Sequence, residues 1–270
     1  MSKYTSWAEH QEWTLNPETS ETWGTKEAIA NTQETTSGNL KTTLENDGVK
    51  IIKIHPTAKV DPSAQIDPSV VIPEGCVIGP NVVIAKRVIL GSNVHIWANT
   101  KIWAGVIIWN RVKMLTDNKI RAGVIIWARA QIWNNTEIWP DTLIWADTQI
   151  WPDTQIWRNI EIWDWVIIWD RVTILSDTKI GNKVKIWNDT KTWEEVIIWD
   201  NATIWENVLI RNKAKIWRKV IVWDKARIWR EAIVWDKARI WREIIIWNNE
   251  IIYKWSHLMN YESCSWKWRN

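Results

Sequence analysis

The stretch Ile72-Pro-Glu-Gly-Cys-Val-Ile78-Gly-Pro-Asn-Val-Val-Ile84 places an aliphatic residue at every sixth position. The same step runs back through Ile66 and Val60 to Ile54 and forward, without a break in phase, to Ile252. It covers 34 positions, and only Thr192 among them is not aliphatic. A short period held this long marks a solenoid, and a six-residue step predicts a parallel β-helix. Four residues after each of these aliphatics comes a small or β-branched one, such as Ala58, Ala64, Val70, Cys76, Val82 and Val88, later Thr136, Thr142, Thr148 and Thr154. Asn118 and Glu250 are the polar exceptions. This residue lies two places before the next large aliphatic, so in a strand both side chains point the same way. The large one is expected to fill the centre and the small one to sit inside a corner.

An aliphatic, often followed by Gly, then two variable residues and a small one, resembles the hexapeptide-repeat family over about 200 of the 270 residues. That resemblance implies a left-handed triangular prism with three hexads per coil, hence all-β structure in about eleven coils. At roughly 4.8 Å per coil the prism is about 50 Å long.

The residue after the aliphatic is tryptophan in 21 hexads, from Trp97, Trp103 and Trp109 onward to Trp247. Three columns of indoles climbing the prism would expose apolar area beyond what a soluble monomer tolerates. Trp165 adds a second anomaly. It occupies the site that other hexads fill with Asn81, Asn93, Asp141, Asp147, Asp177, Gly105 or Gly123. Those residue types predict a left-handed backbone, which is costly for a bulky side chain. Glycine makes sense at all these places: Gly79, Gly91 and Gly181 keep it, and the chain holds only 9 Gly against 28 Trp. We therefore expect a gene that reads UGA as glycine, translated here with UGA as tryptophan; the alternative is a genuine or designed ladder of stacked indoles.

The chain divides into three parts: an acidic, disordered arm over 1–49, the β-helix over 50–253 and a polar tail over 254–270. A short helix around 25–32 is the only structure expected in the arm. No apolar leader or membrane-length run is present, so the cytoplasm is the expected compartment. Two cysteines, Cys76 and Cys264, make no disulfide framework or metal spacing. The net charge of +3 does not by itself imply a nucleic-acid or other polyanionic partner. Basic residues gather late, from Arg211 to Arg242, but the turning hexads should spread them into a girdle instead of a patch. The segment from Val222 is echoed from Val234, which suggests a recent coil duplication.

The opening coils, Ile54-His-Pro-Thr-Ala-Lys-Val-Asp-Pro-Ser-Ala-Gln-Ile, look like the start of UDP-N-acetylglucosamine acyltransferases and their N-acyltransferase relatives. The resemblance implies a homotrimer. It implies an acyl-coenzyme A or acyl carrier protein donor, a nucleotide-sugar or small amine or hydroxyl acceptor, no bound cofactor, and a histidine as general base. The four histidines are His10, His55, His95 and His257. His10 falls in the arm, His55 reads as a turn residue, and His257 follows the last expected coil. His95 alone lies on the prism body and faces out, so it is the candidate base. One histidine cannot build a three-histidine zinc site. The inward Thr136, Thr142, Thr148 and Thr154 exclude the outward threonine ranks of an ice-binding face. Family enzymes usually interrupt their hexads with an active-site loop, and none occurs here. The other reading is therefore a non-catalytic scaffold or assembly module.

Overall fold

The structure, a computed structural model, describes residues 52–253 and 256–258. The expected arm over 1–49, its helix, and most of the tail lie outside these residues. Thirty-five two-residue strands, from Lys53–Ile54 to His257–Leu258, follow one another at six-residue intervals. Strands 18 residues apart pair in parallel, as in Ile107↔Ile125 and Lys113↔Gln131, the one break in the ladders falling on one face between Val71–Ile72 and Ile89–Leu90. Three hexads therefore close one coil, and the strands stack into three faces. The first face contains Ile89–Leu90, the second His95–Ile96 and the third Lys101–Ile102. This is the three-sided, all-β prism that the resemblance implies.

The second residue of each strand is the sixfold aliphatic, and from Ile72 to Ile246 every one is buried, Thr192 included. Burying one such side chain contributes about 1.5–3 kcal/mol. The small residues beside them, such as Val82, Ala130 and Val166, are buried too. Threonine suits that corner because its methyl packs inward while its hydroxyl donates to a carbonyl of the next coil. Thr142 Oγ1 reaches Trp157 O at 3.0 Å and Thr148 Oγ1 reaches Trp163 O at 3.1 Å. Asn118 is satisfied on both sides, its Nδ2 donating to Leu115 O and its Oδ1 accepting from Thr136 N. Thr192 has no such partner. Its buried Oγ1 is unpaired between Ile174 and Ile210 of the neighbouring coils.

The corners use one backbone device throughout. In every hexad from Gly75 to Asn249 the third residue after the inward aliphatic has a φ between 54° and 72°. The Asn, Asp and Gly sites named above behave as expected, and Trp165 joins them at 62°. The column is broader than that composition indicated, since Arg87, Arg129, Lys183 and Glu195 also adopt it. Its exposed side chains pair along the prism: Arg129 bridges Asp147, and Arg171 bridges Asp189. Those guanidinium hydrogen bonds hold both carboxyls below the usual carboxylate range.

The tryptophans after the inward aliphatics stack coil upon coil. Trp133, Trp151, Trp169, Trp187, Trp205, Trp223 and Trp241 form one run with ring centroids 4.6 to 5.5 Å apart. Where glycine stands instead, the next coil comes close. A Cβ on Gly91 would lie 2.6 Å from Asn110 N, and one on Gly181 would lie 2.9 Å from Asp200 N. Stacking also leaves donors stranded: the indole N–H groups of Trp151, Trp169, Trp187 and Trp205 are buried without a partner. A buried donor left so typically costs about 1–3 kcal/mol.

The repeat runs past its expected end. Strand His257–Leu258 pairs with Arg239–Ile240, and Leu258 continues the inward phase six residues after Ile252. The polar residues around it hid that last aliphatic in the sequence. The basic girdle is as expected, with Lys215 on the first face, Arg239 on the second and Arg227 on the third.

Two substitutions test the core. Thr192→Val removes a stranded hydroxyl while keeping its shape, and should raise unfolding free energy by about 1 kcal/mol. Thermal melts should also place Ile162→Lys well below the unsubstituted chain and Trp163→Gly at or above it; the reverse order would contradict this packing.

Candidate functional site

His95 occupies the outward position of its strand on the second face, where the residue before the inward Ile96 must point to solvent. Parallel pairing sets Val77 one coil before it and Lys113 one coil after it. Val77 in turn pairs with Lys59. Lys59, Val77, His95 and Lys113 therefore form one outward column. An open depression of about 360 Å³ lies at the foot of this column, lined by Lys59, Asp61, Pro62, Val77 and Gly79. Its bare floor at Gly79 brings the second face against the backbone of Ile96 and Trp97.

The His95 imidazole meets the Trp97 indole edge-on, with centroids 5.8 Å apart. Among the described residues no carboxylate hydrogen-bonds the ring. An orienting acid of the kind that fixes a catalytic tautomer is therefore not built into this column. Asp61, at the foot, is committed elsewhere: its Oδ1 accepts from Ser63 N at 2.9 Å and Ser63 Oγ at 2.6 Å. Those two bonds hold the Asp61 carboxyl below its ordinary value. The column offers an imidazole, two ammonium groups and an apolar step at Val77, which suits proton abstraction next to an anionic ligand.

The other histidines stand apart. His55 is a turn residue, its Nδ1 2.9 Å from Thr57 Oγ1 and accepting from Thr57 N. His257 falls in the last strand, and His10 lies outside the described residues. Cys76 is a core side chain whose Sγ donates to Gly91 O, and burial pushes its thiol up to about 11. Among the described residues no three His, Cys, Asp or Glu groups converge as a metal site. No helix there is long and apolar enough to cross a membrane.

Sequence reasoning missed two features. One is the depression, whose lining joins residues 18 apart. The other is a groove of about 660 Å³ on the first face, where Lys179, Ile197, Lys215 and Ile233 meet Glu195 and Glu231 of the adjoining corner. An 18-residue reading of the hexads would have exposed both.

No family model matches the chain, and no curated protein matches it. Several solved structures do. A UDP-N-acetylglucosamine acyltransferase from Bacteroides fragilis is 25% identical, with 71% of this chain and 69% of that one covered, at a TM-score of 0.28. One from Acinetobacter baumannii is 15% identical, with 69% and 66% covered, at a TM-score of 0.35. A perosamine N-acetyltransferase from Caulobacter crescentus, solved with coenzyme A and GDP-perosamine, is 15% identical, with 72% of this chain and 50% of that one covered, at a TM-score of 0.16. This chain thus spans from half to about two thirds of their lengths.

Proposed function

We propose that this chain is a cytoplasmic acyl- or acetyltransferase that moves an acyl group from a coenzyme A or carrier-protein thioester to a nucleotide-sugar or small hydroxyl or amine acceptor. The observation that carries this reading is His95, set outward on the second face, one coil above an open depression and in column with Lys59 and Lys113. His95 takes the acceptor's proton as the hydroxyl or amine attacks the thioester carbonyl. Collapse of the tetrahedral intermediate breaks the C–S bond, and the imidazolium returns its proton to the departing sulfur. Lys59 and Lys113 offer their charges to donor or acceptor phosphates. In the homotrimer that the opening coils imply, a neighbouring prism would wall the depression and exclude water.

The unbroken hexads favour a second reading, a scaffold without chemistry, because no loop leaves the prism between Lys53 and Tyr253 to build a specificity pocket. Transfer assays with acetyl- and long-chain acyl-coenzyme A and with acylated carrier protein separate the two. The transferase reading expects turnover in the unsubstituted chain and a loss of about 10²- to 10⁴-fold in kcat for His95→Ala. No turnover from any donor supports the scaffold.

The same reading places glycine, not tryptophan, at the 28 Trp positions of the native protein. The close approach of the next coil at Gly91 and Gly181, the stranded indole donors and the left-handed Trp165 support it. Mass spectrometry of protein from the native host should find peptides with glycine at 163 and 165; peptides carrying Trp there would end the idea.

A further inference from the structure

Two arginines interrupt the indole column of the third face, Arg121 and, five coils further on, Arg211. Their surroundings match. The Arg121 guanidinium lies between the rings of Trp103 and Trp139, 4.6 and 4.8 Å from their centroids. The Arg211 guanidinium lies between Trp193 and Trp229, at 4.4 and 4.9 Å. A guanidinium with a ring over each face pairs only in its own plane. In both arginines Nε is buried without a partner, which leaves the Nη groups to do the pairing.

The two differ in what stands opposite. Arg121 Nη2 donates to Glu137 Oε1 at 2.6 Å, and Lys119 Nζ lies 3.8 Å from Glu137 Oε2. Glu137 is the outward residue one coil on, paired with Lys119. At the later site the same register pairs Leu209 with Arg227. The position that supplies a carboxylate to Arg121 therefore supplies a second guanidinium to Arg211. Neither Arg211 nor Arg227 has a carboxylate partner among the described residues. Lys191, outward one coil before Leu209, adds a third cation to the column.

We infer that Arg211 and Arg227 form a binding site for a phosphate dianion, which takes the place that Glu137 fills in the early coils. One carboxylate satisfies one arginine, as Glu137 does for Arg121. Two guanidiniums brought to the same place repel each other, and a doubly charged anion between them turns that repulsion into attraction. A tetrahedral phosphate offers oxygens to both planar forks, and such charge-assisted bonds are shorter and stronger than neutral ones. Leu209 and Ile245, outward on the coils either side of Arg227, give apolar surface for the organic body of a phosphate monoester. The correspondence between the two sites comes from the 18-residue register, so it is the same whichever residue stands at 193 and 229. The site lies about six coils from His95, roughly 30 Å along the prism. It neither needs the transferase reading nor supports it.

Isothermal titration of the full chain at constant ionic strength, with inorganic phosphate, adenosine monophosphate, adenosine and acetate, reads the site. Phosphate and adenosine monophosphate should bind saturably, one per chain, with adenosine and acetate at least about tenfold weaker. Arg227→Glu puts a carboxylate where Glu137 stands in the early site. It should abolish phosphate binding and leave the melt unchanged or raised. Arg211→Gln should weaken binding by at least about tenfold, with circular dichroism checking the fold of each variant. Glu137→Arg should build the matching site against Arg121 and raise the stoichiometry from one to two. Tighter binding of adenosine monophosphate than of phosphate assigns the site to a monoester, and equal affinity assigns it to the free anion. The inference is overturned by no saturable phosphate binding up to about 10 mM. It is equally overturned by undiminished binding in folded Arg227→Glu or Arg211→Gln, by a stoichiometry still at one in Glu137→Arg, or by acetate or adenosine binding as tightly as phosphate.

Discussion

Everything in this molecule depends on one register: strands 18 residues apart hydrogen-bond one another, inward aliphatic level with inward aliphatic. A strand of two residues has no stability of its own. It gains stability only because the coils before and after it present the same two residues at the same height. Side-chain alternation then allows no compromise, since a slip of one residue would turn the isoleucine column out and the lysine column in. This is why the phase survives from Ile54 to Leu258 without a single insertion, although the surface residues between change freely.

The core was legible because its rule is local and repetitive. Six residues suffice to state it, and the identity of the buried residue barely matters so long as it is aliphatic. The corners were half legible. Asn, Asp and Gly announce a left-handed residue by their own preferences, but Arg129, Lys183 and Glu195 carry no such signal and adopt it because the two flanking strands leave no alternative. What the six-residue reading could not supply is neighbourhood across coils. His95 is recognisable as outward-facing from Ile96 alone. That its neighbours are Val77 and Lys113, and that a depression lies beneath it, follows only once three hexads are known to close a turn.

The same limit hid the aliphatic first face. In sequence, Ile107-Ile108, Ile125-Ile126 and Leu143-Ile144 look like ordinary strand doublets scattered among others. Sorted by threes, they become a continuous surface. The tryptophans show the opposite case, a local irregularity with a global meaning. Their stacking gives contact between rings, yet it strands N–H donors in the wall of a prism whose retained glycines sit where the next coil leaves no room for a side chain.

The internal copy beginning at Val222 and Val234 is twelve residues long, two thirds of a turn. To the interior such an insertion is silent, because every hexad is equivalent there. To the exterior it acts as a rotation: Arg227 stands on the third face, whereas its counterpart Arg239 stands on the second. Lengthening this chain by hexads therefore redeals its surface without disturbing its centre. A lineage of such prisms could trade binding faces by duplication alone, with no substitution of any kind.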